Sequence, residues 1–159
     1  MVNLFGKFFY SSSNGKIVFF PYELQTGYYE LIKKASDDGF RQCIITSDIM
    51  IRVIEHLLFD NNGELNSIQF MIDDEELQAE VGALIKRMKN NSALWSKLRD
   101  KIEFLDNSES IEIKSIELRC KTVDSFLIKL LANGVICVSE NQYSMATQQI
   151  AGILEGCIR

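Results

Sequence analysis

The chain has 159 residues and a formal charge of −5, with 47% apolar and 25% charged residues, nine Gly and one Pro. That balance excludes a disordered or collagen-like chain, and the length suffices to bury about 70% of the unfolded surface in one core without disulfides. A single domain over residues 1–159 is expected. The acidic total argues against whole-molecule attraction to nucleic acid. No apolar run approaches the roughly 20 residues of a membrane span, so no membrane contact is expected. The amino terminus has no basic segment followed by an apolar one, which makes a cytoplasmic location the default.

In chain order, Leu4 to Tyr10 and Lys16 to Phe20 are aromatic and β-branched runs around Ser11-Ser12-Ser13-Asn14-Gly15, the pattern of a β-hairpin. Leu24, Tyr28, Leu31, Ile32 and Ala35 then follow a helical period, with Gly39 as the stop. Gln42 to Thr46 suits a short buried strand. Ser47 or Asp48 can cap the next helix, which carries Ile51, Ile54, Leu57 and Leu58. Ser67 to Ile72 reads as a strand, and Asp73 and Glu76 have capping-box spacing ahead of Leu77, Val81, Leu84, Ile85 and Met88. A further amphipathic segment carries Leu94, Trp95, Leu98, Ile102 and Leu105.

Between Ser110 and Cys120 the alternation changes phase, which a bulge near Lys114-Ser115 reconciles. Val123, Phe126, Leu127, Leu130 and Leu131 fit a helix ending at Asn133-Gly134. The alternative for Phe126 to Leu131 is a strand turning into Val135 to Ser139; the helix is preferred. A last helix carries Ala146, Ile150, Ile153, Leu154 and Cys157. The alternation of strands and helices favours an α/β fold, a single mixed or mostly parallel sheet flanked by helices with an amino-terminal hairpin. The alternative is α+β.

Cys43, Cys120, Cys137 and Cys157 lie 77, 17 and 20 positions apart in apolar company, a pattern of structural thiols rather than a metal or redox site. His56, the only histidine, has no companion nucleophile motif. No Gly-rich phosphate loop, zinc helix or nucleophile elbow is present, and no cofactor is implied. Asp48 and Asp73 each follow a predicted strand, where carboxylates can hold Mg²⁺ but equally serve to start helices. Six basic residues and one acid between Lys86 and Lys101 make that stretch +5 inside a −10 remainder. With Trp95 inside it, the segment is a candidate contact for phosphates or an acidic protein surface, or simply the solvated faces of two helices.

Ile116-Glu117-Leu118-Arg119-Cys120-Lys121, followed by Val138-Ser139-Glu140-Asn141, resembles the His-x-Lys … Gly-Ser-x-Asn pattern of the phospholipase D-like superfamily. Lys121, Ser139 and Asn141 match it; Arg119 stands at the nucleophilic histidine, Val138 at the glycine and Phe126 at the family's aspartate. The resemblance implies a non-catalytic relative that binds a phosphate, through Lys121, Ser139 and Asn141, or a partner, and it requires a strand at Phe126 to Leu131.

The leading expectation is a non-catalytic module that binds another protein, of immunity, inhibitor or regulatory-subunit type. Phe8, Tyr10, Phe19 and Tyr22 of the aromatic hairpin and Lys86, Arg87 and Trp95 of the basic stretch are its candidate contacts, and the net charge suits a basic target. A phosphate- or Mg-binding enzyme and nucleic-acid contact through residues 86–101 are the alternatives.

Overall fold

The computed structural model describes residues 3–22, 27–60, 62–121 and 125–158, with only the backbone of residues 22 and 158. Strands β1 (Asn3–Ser11) and β2 (Ile17–Tyr22) form the amino-terminal hairpin, followed by α1 (Tyr28–Asp37) and the short β3 (Phe40–Gln42). Helix α2 (Ser47–Glu55) runs into a π-helical turn, His56–Asp60. Then come β4 (Glu64–Phe70), α3 (Glu75–Met88), α4 (Trp95–Glu109), the strands β5 (Ile113–Lys121), β6 (Ser125–Leu131) and β7 (Val135–Ser139), and α5 (Tyr143–Ile158).

The strands form one sheet in the order β2-β1-β7-β6-β5-β4, with β3 pairing with β1 beyond the end of β7. Every ladder is antiparallel. The sheet is therefore neither mixed nor mostly parallel, and the expected α/β class is corrected. The reason lies in the connections. A single helix between neighbouring strands returns the chain for a parallel pairing, whereas the α3–α4 pair goes out and back and delivers β5 antiparallel to β4. Tight turns do the same for β5, β6 and β7.

The preferred helix at Phe126 to Leu131 is also corrected. Phe126, Ile128 and Leu130 are buried while Leu127, Lys129 and Leu131 are not, a period of two that only a strand satisfies. Val123, which the helix reading included, lies outside the described residues. Gln42 to Thr46 contributes only its first residue to a strand; beyond it, Cys43 N donates to Phe8 O (3.2 Å) and Ile45 N to Ala132 O (2.7 Å). The phase change in β5 is a real irregularity: Gln69 pairs with Ser115 and Phe70 with Ile113, so Lys114 is passed over.

One face of the sheet packs on α2, α3, α4 and α5 around Phe8, Met50, Val53, Ile54, Leu98, Ile128, Ile136 and Ile150, all buried. The helix starts are capped one residue away from the expected positions. Thr46 Oγ1 accepts from Ile49 N (3.3 Å), and Asp74 Oδ1 from Leu77 N (3.0 Å). Ser47 is thereby freed to accept from Ile113 N (2.9 Å), which ties α2 to β5 inside the core. Helix α1 sits on the other face, where Tyr28 approaches Lys7 and the rings of Phe9, Phe20 and Phe40 meet edge to face. Gly134 has φ +83°, and a Cβ there would lie 2.5 Å from Cys43 O, so glycine alone fits the β6–β7 turn.

Candidate functional site

The concave surface with the clearest chemical character lies between the π-helical turn and the end of α3. The turn closes with a hydrogen-bonded contact of His56 Nδ1 with Asp60 Oδ2 (2.9 Å) and leads to Asn62 at φ +53°. Gly63 follows, where a Cβ would come 2.9 Å from Leu57 O and 3.1 Å from Arg119 O. A wide turn displaces side chains from the helix's regular faces, and Phe59 is left 57% exposed. Opposite it, Ile85, Met88 and Lys89 complete a groove of about 410 Å³ whose apolar walls include Leu58 and Leu65 and whose polar side carries Glu64 and Lys121.

The charged residues in the groove lining are Lys89, Lys121 and Glu64. Lys121 Nζ donates to Glu64 Oε1 (2.6 Å), and that bond, with Lys89 and Arg119 nearby, holds the Glu64 carboxyl below its ordinary pKa. Lys86 and Arg87 stand exposed in the last turn of α3 beside Lys89. Two of the basic residues in this stretch are neutralised: Lys101 by Glu80 (2.8 Å) and Arg99 by Glu55 (3.7 Å). Among the described residues, none of Lys86, Arg87, Lys89 and Lys97 has a carboxylate within 4 Å. Cations in a last turn complement the helix macrodipole, but an apolar groove beside them is not needed for that.

A second open surface is the face of β5 and β6 away from the main helices. It presents Glu117, Arg119, Leu127 and Lys129 with Cys137 and Ser139 of β7 around a shallow depression of about 420 Å³. Two of its charged side chains are hydrogen-bonded: Arg119 Nη1 donates to Ser125 Oγ (3.2 Å) and Asn66 Nδ2 donates to Glu117 Oε1 (2.5 Å), and Lys129 stands opposite Glu117 in the strand register.

Both outer strands are guarded. On β4, Phe70 N donates to Gln78 Oε1 (3.1 Å) while Gln78 Nε2 donates to Ile68 O (2.9 Å), so one side chain occupies the place of a neighbouring strand. On β2, Ile17 N donates to Glu155 Oε1 (3.1 Å), and Pro21 has no N–H to offer. Such devices suppress pairing with a foreign strand, which leaves the groove and the open face as the surfaces for recognition.

The structure separates the residues singled out from the sequence. Phe8 (0% exposed) and Trp95 (4%) are core residues and present nothing to a partner. Phe19 meets the rings of Phe8 and Tyr143 at steep angles, and Tyr10 packs against the core; the side chain of Tyr22 lies outside the described residues. Among the described residues of that set, Lys86 and Arg87 are the exposed ones. Asp48 is in the first turn of α2 facing Arg52 (3.9 Å), and Asp73 is exposed just before the cap of α3. Among the described residues no three His, Cys, Asp or Glu side chains are grouped to hold a metal ion. Lys121 lines the groove, Ser139 the depression on β7, and Asn141 lies in the short turn after it, so these three share no cavity described here.

Sequence reasoning passed over Phe59, Glu64, Gln78 and Lys7. The last is 0% exposed; its Nζ donates to Asn133 O and lies 5.3 Å from the Tyr28 ring. Burial pulls its pKa down to about 8, and burial pushes the Cys43 thiol beside it up to about 11. The signal was a lysine between Phe5 and Phe9 in strand alternation, a charge on a face otherwise aromatic. Compared with known proteins, the chain matches no family model, no curated protein and no solved structure. Among the described residues no helix is long and apolar enough to cross a membrane.

Proposed function

We propose that the chain is a non-catalytic module that binds another protein, taking an acidic segment of its partner into the groove between the π-helical turn and α3. The observation that carries this reading is the juxtaposition of half-exposed Phe59 and apolar walls with Lys89, which lines the groove with no carboxylate within 4 Å among the described residues. Apolar anchoring with a charged rim is the composition of a protein contact, and the positive potential selects and steers acidic partners. The net charge alone suits a basic target, but the groove lining holds one more lysine than carboxylates, and contact is governed by local potential within about a Debye length, roughly 8 Å at physiological salt. The apolar walls favour a protein over a nucleic acid, which would use the cations and leave Phe59 and Met88 without a role.

Capture from native lysate on immobilised protein tests the reading. Wild type should return a stoichiometric acidic partner. Lys89→Glu, in the groove lining, should lose it, while Lys33→Glu, the same charge change on α1, should keep it. Retention by the groove variant, or recovery of nucleic acid instead of protein, refutes the proposal.

A further inference from the structure

We propose that α1 is a displaceable lid over Lys7, closing the aromatic half of a sheet face whose other half, on β5 and β6, is already open. Helix α1 buries one of its ten residues, Ala35, whereas α2 buries five of nine. Its ends are Gly27 (φ +77°), which makes no side-chain cap, and Gly39 (φ +88°), two positions where the backbone turns without a side chain to hold it. What it covers is unusual for an interior: the ammonium group of Lys7, 0% exposed on β1.

The groups facing Lys7 are Tyr28 from α1, the carbonyl of Asn133 from the β6–β7 turn, the thiol of Cys43 from the segment after β3, and the ring of Phe9 on its own strand. Among the described residues no carboxylate lies within 4 Å of it. The Cys43 thiol, pushed up to about 11, stays neutral below that pH and supplies no counter-charge. A buried ammonium group held by one carbonyl and two aromatic rings, with no carboxylate near it among the described residues, is costly, and water relieves it. Lifting α1 takes Tyr28 off Lys7 and admits that water. Protonation of Lys7 therefore favours the open lid, and deprotonation the closed one. This device does not depend on the acidic groove described above.

Hydrogen exchange of the α1 amides, corrected for intrinsic rates, tests it on the intact chain. If opening restores Lys7 from about 8 to its ordinary 10.5, the open fraction should be about tenfold greater at pH 6.5 than at pH 9. Amides of β6 and α5 should not follow. Lys7→Met should protect α1 at both pH values and abolish the difference, and Tyr28→Ala, which removes the side chain over Lys7, should expose α1 at both. Equal α1 protection in wild type at the two pH values overturns the proposal, as does a Lys7→Met variant that keeps the wild-type difference. The wild-type series decides the matter by itself should Lys7→Met fail to fold.

Discussion

Replacing Gln78 by leucine isolates the device that closes the β4 edge. The substitution roughly conserves volume and helix propensity but removes two hydrogen bonds at once, from Phe70 N (3.1 Å) and to Ile68 O (2.9 Å). Each is worth about 0.5–1.5 kcal/mol net, so the loss should be about 2 kcal/mol. For a chain of this size that lowers Tm by roughly 4–8 °C. Urea unfolding should show a lower midpoint with an unchanged m-value, because the surface exposed on unfolding is the same. A second consequence separates edge protection from simple stability. Freed groups on an outer strand invite pairing between molecules, so light scattering should detect association of Gln78→Leu at concentrations where wild type does not associate. Stability within 0.3 kcal/mol of wild type, with no tendency to associate, would refute the idea that this side chain stands in for a strand.

Other consequences concern the interior. Cys43 and Cys120 are buried, and burial raises both thiols from 9 to about 11. Below pH 9 both states hold the proton; between pH 9 and 11 only the folded state does, so each thiol's contribution to stability falls as pH rises through that window, by up to about 3 kcal/mol, while the lowered Lys7 acts in the opposite sense up to its ordinary 10.5. Cys120→Ala should reduce the slope of stability against pH between 9 and 11 in chemical unfolding; an unchanged slope would contradict the assignment. Gly134→Ala combines a left-handed backbone at φ +83° with a Cβ 2.5 Å from Cys43 O. It should cost at least about 2 kcal/mol in the same assay, and a neutral effect would mean that the turn is not clasped in this way.

Much of the local structure could be read from residue patterns, because period and capping are local properties. The hairpin with its Ser11-to-Gly15 turn and the helix from Leu77 to Met88 are close to where the sequence places them, and the phase change at Lys114 marks a departure from regular pairing. Strand direction could not be read, since it depends on whether the segment between β4 and β5 packs as one crossover or as the α3–α4 out-and-back pair. Phe126 to Leu131 misled because apolar residues at 127 and 131 complete a helical stripe as well as an open strand face. The same limit applies to the site. The basic stretch was visible as composition, but Phe59 gains its role only when the π-helical turn brings it opposite Met88. Trp95, which looked like part of that surface, is 4% exposed and belongs to the core.

The central claim, that a partner's acidic segment is anchored in the groove by apolar contact, is tested most directly by the affinity of the captured partner for Phe59→Ala. Phe59 is 57% exposed and outside the buried core, so its truncation should leave stability nearly unchanged. At an anchoring position the same truncation should weaken binding at least about tenfold, the size expected of an interface hot spot. An affinity equal to that of wild type, measured by titration calorimetry at the same salt concentration, would contradict the account.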